Sequence, residues 1–232
     1  MTSPLANSSV KRMGPRQLAA WLFLIVIVAG CAAYQAAGQV QSGRQALLVK
    51  QPADALGYFQ QVAQTNPNYI FQSGLYREGI WTYIGRSQYL LGRLPEARQS
   101  LEKALSVDQD DYLARIYLGL TLLRSGEDSS GLKQLDSGMK GLYDWLEYMN
   151  RTMPYTAFWD PRREIRSAIE KDLDMLSSKD ADRQQLISSA EWIGQKMEEE
   201  IDLVRRDEQR RMNQELEWSS GRGVGVGIGI GF

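Results

Sequence analysis

In a chain of 232 residues, 27 basic side chains stand against 28 acidic ones, and the formal charge of -1 offers no global field for nucleic acid or an anionic membrane surface. The chain contains no histidine, which excludes a Ser-His-Asp or Cys-His catalytic device and the usual His-bearing zinc sites. Its one cysteine excludes an intramolecular disulfide, so a single main body has to be held by packing.

Residues 11–31 read KRMGPRQLAAWLFLIVIVAGC. Lys11, Arg12 and Arg16 precede an apolar run from Leu18 to Val28, and small residues follow. This is the order of a secretory signal, whose positive charge stays on the cytoplasmic side. The run of roughly 12 residues is short for a spanning helix, which needs about 20. Val28-Ala29-Gly30-Cys31 resembles the box of the bacterial lipoprotein signal family at every position. That resemblance implies a signal peptide over residues 1–30, cleavage before Cys31, and acyl chains such as palmitate on this residue. Two or more chains would anchor the body, at about 0.8 kcal/mol per buried methylene. Ala32 in place of an acidic residue, by resemblance to Gram-negative lipoproteins, implies sorting to the outer membrane, facing the periplasm. An uncleaved anchor helix from Leu18 to about Ala37 and a buried core cysteine are the alternatives.

From Ala36 the apolar spacing is helical and predicts an all-α body. Residues 78–111 carry large side chains at their fourth, seventh and twenty-fourth positions (Trp81, Ile84, Leu101) and small ones at the eighth, twentieth and twenty-seventh (Gly85, Ala97, Ala104). Two antiparallel helices approach closely only where side chains are small, with large ones filling the space on either side. In this the segment resembles a tetratricopeptide repeat. Residues 112–145 form a degenerate copy through Leu118, Gly119, Leu122, Gly131, Leu135 and Gly138. Its three glycines predict a softer hairpin, at roughly 1 kcal/mol each relative to alanine. Residues 36–69 align through Gly43, Ala55, Phe59, Val62 and Pro67. Ile70 to Arg77 fall outside the period and are expected to lengthen a helix or a connection, with Asn66-Pro67-Asn68 at a helix end. The repeats thus span 31–145 of the predicted mature chain.

Residues 146–218 read as an aromatic-rich cap and a long helix. Tyr143, Trp145, Tyr148, Tyr155, Phe158 and Trp159 surround a break at Pro154 and either seal the stack or line a ligand pocket. Asp160 is expected to N-cap a helix with Pro161 at its first position. A helix from about Ala181 to Trp218 carries the stripe Leu186, Ala190, Ile193, Met197, Ile201 and Val204, fit to pack on the stack or on another helix. Residues 219–232 close on GVGVGIGIGF, whose period-two alternation reads as a weakly ordered tail, a strand added to a partner's sheet, or part of a multi-chain assembly.

The tetratricopeptide resemblance implies a concave surface lined by the first helix of each repeat. Carried across, it includes Arg44 and Leu47, Arg86 and Tyr89, and Leu120, Leu123 and Arg124. An apolar groove with three arginines would suit an amphipathic or extended protein segment bearing acidic groups. Burial of part of this surface under the carboxy-terminal helix is the alternative. The implied protein is a non-enzymatic, lipid-anchored scaffold, similar in architecture to repeat lipoproteins that serve secretin assembly, barrel-protein insertion or cell-wall enzyme recruitment. It calls for a protein partner and the membrane, for no nucleic acid, and for neither cofactor nor metal. A membrane-associated homo-oligomer organised by the tail, and a carboxylate-only hydrolase built on Asp160 and Glu164, are the competing readings.

Overall fold

The computed structural model describes residues 35–152, 159–178 and 182–221. Cys31, Tyr155, Phe158 and the segment GVGVGIGIGF lie outside the described residues. Within them the fold is all-α apart from one β-hairpin. Three helical hairpins follow one another: α1 (35–48) with α2 (Pro52–Thr65), α3 (Ile80–Leu90) with α4 (Leu94–Val107), and α5 (Tyr112–Arg124) with α6 (Asp128–Thr152). Helix α7 (Glu164–Ser177) packs on α6, and α8 (Arg183–Gly221) packs on α7 and α5.

The three hairpins share one turn. Two residues past the end of each first helix stands a residue in the left-handed region, Lys50, Gly92 or Gly126. The next amide closes a six-residue bond to the helix: Gln51 to the Ala46 carbonyl (2.8 Å), Arg93 to Gln88 (2.9 Å) and Glu127 to Leu122 (2.9 Å). This motif satisfies carbonyls that the helix end would otherwise orphan. Proline near the start of α2 and α4 (Pro52 and Pro95) then tolerates the lost amide of a first turn. Hairpin closeness comes from a glycine in the first helix, at the eighth position of each expected repeat. A Cβ built on Gly43 would lie 2.5 Å from the Phe59 ring, and one on Gly85 would lie 2.5 Å from Leu101 Cγ. In the third hairpin the glycines pay back their poor helix propensity: Cβ atoms on Gly119, Gly131 and Gly138 would sit 2.8, 2.9 and 2.9 Å from backbone nitrogens of the opposing helix. The corresponding approach at Gly85 is 3.3 Å, so the hairpin expected to be softer is the more closely packed.

The eight residues outside the period correct a sequence expectation. Together with Glu78 and Gly79 they build neither a longer helix nor a plain connection but an antiparallel hairpin, β1 (Ile70–Ser73) with β2 (Tyr76–Gly79), paired Phe71 with Glu78 and Ser73 with Tyr76. Alternation explains it: Phe71, Ser73, Tyr76 and Glu78 turn inward and Gln72 and Arg77 outward, and Gly74 supplies the turn with φ of +56°. Strand β2 runs directly into α3. The sequence expected α2 to end at Asn66-Pro67, and α2 does end at Thr65.

Two boundaries also differ. Helix α6 continues through the expected repeat end at residue 145 to Thr152, where Trp145 meets Trp159 (4.9 Å between ring centres) and Tyr76 (5.6 Å). These rings seal the junction of α6, the β-hairpin and the segment before α7. Helix α7 begins at Glu164 rather than Pro161, because Asp160 and Arg163 both take left-handed backbone. Asp160 still caps it, from outside: its carboxylate accepts the Ile165 and Arg166 amides (3.0 Å each) and the Arg166 Nε (3.1 Å). All six residues of the expected α8 stripe, Leu186 to Val204, are buried. The helix runs three residues past the expected end, to Gly221.

Candidate functional site

The first helices α1, α3 and α5 present one common face, and α8 lies on it. The alternative, burial of the expected groove under the carboxy-terminal helix, is therefore the arrangement found. Arg44, Leu47, Arg86, Tyr89, Leu120 and Leu123 are buried, and only Arg124 keeps a partly exposed side chain. Leu123 departs further from the expectation, since its side chain lies against Gly131 of α6 inside the third hairpin. The physical reason is the α8 stripe: its aliphatic residues gain about 1.5–3 kcal/mol each on full burial, and a covalently linked helix reaches the face before any partner in solution.

What the arginines meet is the acidic edge of that helix. Arg44 donates through Nε to Glu198 Oε1 (2.5 Å), and Arg86 through Nη1 to Glu198 Oε2 (3.1 Å), so one carboxylate of α8 ties α1 to α3. Arg86 Nη1 also reaches Glu78 Oε1 (2.7 Å), and its Nη2 reaches the Gly194 carbonyl (3.2 Å). Tyr76 donates its hydroxyl to the other Glu78 oxygen (2.8 Å). One heptad before Glu198, Glu191 accepts from the Tyr89 hydroxyl (2.5 Å) and from Arg124. Stacking steadies the cations: Arg44 lies 4.4 Å from the Phe71 ring centre, and Arg86 lies 5.2 Å from that of Tyr117. Gly194 permits the approach, because a Cβ there would lie 2.4 Å from the Tyr117 hydroxyl.

Two arginines and two glutamates thus form a buried network, balanced in charge where Glu78 is ionised. Burial pushes the Glu78 carboxyl up to about 7; Arg86 pulls against this shift, while Glu198 and Asp111 add to it. Burial also works against the charge on Arg86, but Glu78, Tyr117 and Glu198 outweigh it and hold the guanidinium well above its usual range. Arg44 behaves alike: burial opposes its charge, and Tyr83, Glu198 and Glu78 more than offset it. Such networks add little net stability over an apolar core of the same shape, yet losing one member costs about 3–5 kcal/mol.

Beside α8 a cleft of about 480 Å³ opens between Leu47, Pro52, Leu90 and Trp192, with Arg86 and Glu198 among its lining residues. Among the described residues, Asp160 and Glu164 lie apart from this cleft. Asp160 gives both oxygens to the α7 cap, and Glu164 is exposed with Arg162 at 3.9 Å.

Sequence reasoning missed Glu78, Glu191, Gly194 and Glu198. The signal for the last three was present: they flank the apolar stripe at spacings of three and four, on one edge of α8. Glu78 was hidden by counting it as the first residue of a helical repeat. No protein-family model, curated protein or solved structure matches this chain.

Proposed function

We propose that the protein is a lipid-anchored scaffold of the tetratricopeptide type, which holds a protein partner at the periplasmic face of the outer membrane as an assembly factor for an envelope complex. The observation that carries this reading is the face of α1, α3 and α5, whose Arg44, Arg86 and Arg124 are matched to carboxylates spaced along one amphipathic helix. A surface that receives one such helix has the apolar strip and charged forks that helix-in-groove recognition uses. The repeated turn, and the glycine contacts at the eighth position of each hairpin, favour the tetratricopeptide assignment. The anchor rests on Val28-Ala29-Gly30-Cys31. Among the described residues, no helix is long and apolar enough to cross a membrane.

Photo-crosslinking in intact envelopes tests the reading. A crosslinking residue at Leu90 or Lys50, on the rim of the cleft, is expected to capture one protein, and the same residue at Lys103 on α4 is expected not to. Capture from Lys103 but from neither rim position would move the partner surface to the opposite face and end the groove reading.

A further inference from the structure

The fit of α8 to its seat is incomplete. Arg44 Nη2, Arg86 Nε and the Tyr83 hydroxyl are buried with no hydrogen-bond partner among the described residues. The two glutamates leave three donors unmet, and an unmet buried donor carries its full desolvation penalty. The cleft runs along the same edge of α8, and its apolar wall keeps Leu90 at 46% and Trp192 at 39% exposure. The contact at Gly194 closes only because that residue lacks a side chain.

We infer that α8 holds, in cis, the place of a partner helix: an amphipathic acidic helix with aliphatic residues at spacings of three and four, glutamates seven positions apart, a small residue between them, and one further acceptor to meet the donors that α8 leaves unpaired. This rests on the scaffold reading above and adds the partner's chemistry and its regulation. The free chain is closed, and a better-matched helix opens it. The tether gives α8 an effective concentration on the order of millimolar, so a helix of equal fit at micromolar concentration loses and one with extra acceptors gains.

The test uses the full chain and a fluorescent synthetic peptide of residues 183–206. In the wild-type chain the tethered α8 excludes the peptide. A chain carrying Glu198→Gln breaks its own network, and its affinity for the unmodified peptide is expected to rise on the order of 100-fold or more. Gly194→Ala, which keeps every charge and pushes α8 off Tyr117, is expected to do the same, and supports the inference even where Glu198→Gln fails to fold. Arg44→Gln added to Gly194→Ala is expected to remove the gain. Hydrogen exchange reports the state of α8 in each chain. Peptide refused by both variants while their α8 amides exchange freely would overturn the inference, and so would α8 amides as protected as those of α3 in both variants. Rim crosslinks that persist beside either result would leave the scaffold reading standing and retire only the displacement.

Discussion

Glu78 makes the stability of the fold depend on pH in a direction opposite to that of most carboxylates. Its folded pKa is raised by burial from 4.5 to about 7. Between those values the folded chain holds a proton that the unfolded chain has given up, so stability falls as pH rises through the window. At about 1.4 kcal/mol per unit, the loss from pH 4.5 to pH 8 amounts to about 3 kcal/mol. Glu78→Gln is a neutral isostere of the protonated acid and removes this loss. Urea unfolding of both proteins at several pH values isolates the effect, because Asp111 and Glu200, also raised by burial, and Glu147, lowered by Arg166, are common to both. The stability of the variant relative to wild type is expected to climb by about 3 kcal/mol from pH 4.5 to pH 8. A difference that stays flat would mean that the Arg86 pair outweighs burial and that Glu78 keeps an ordinary pKa.

Two glycines of similar helical setting should respond with opposite sign. Gly57→Ala, where a Cβ meets nothing within 4 Å, is expected to gain about 0.5–1 kcal/mol, whereas Gly85→Ala, against Leu101, is expected to lose about 1–3 kcal/mol in the same denaturation assay. Asp160→Asn places an amide where the Arg166 amide and guanidinium both donate, and a loss of about 2 kcal/mol by thermal unfolding is expected; an unchanged midpoint would refute the capping role. Cys31→Ser is expected to move the protein from the membrane fraction to the soluble one or to block its processing. Continued cleavage with full membrane retention would place the anchor elsewhere.

The hairpin stack was legible because its determinants are local. Gly43, Gly85 and Gly119 mark close approach, and Phe59, Leu101 and Leu135 lie opposite them. The α8 stripe was equally legible, since burial on one face leaves a period in the sequence. Its destination was legible only as one of two alternatives, the stack or another helix, because a stripe says that a helix packs without saying on what. The three groove arginines already called for an amphipathic or extended segment bearing acidic groups, and Glu191 and Glu198 supplied those groups from within the chain. The β-hairpin went unread for a different reason: Phe71, Ser73, Tyr76 and Glu78 alternate over too short a run, inside a sequence dominated by helical spacing. The α7 start was misplaced because Pro161 fits a first helical turn, whereas the left-handed backbone at Asp160 and Arg163 depends on Asp160 reaching forward to Ile165 and Arg166.

The seating of α8 on α1, α3 and α5 is the claim on which the functional account turns, and residue-resolved hydrogen exchange measures it most directly. Amides of residues 186–204 are expected to be protected in the wild-type chain and to exchange at least about 100-fold faster in Glu198→Gln, with the protection of α3 and α4 retained. Exchange in the wild-type 186–204 segment as fast as in 206–218 would contradict the account.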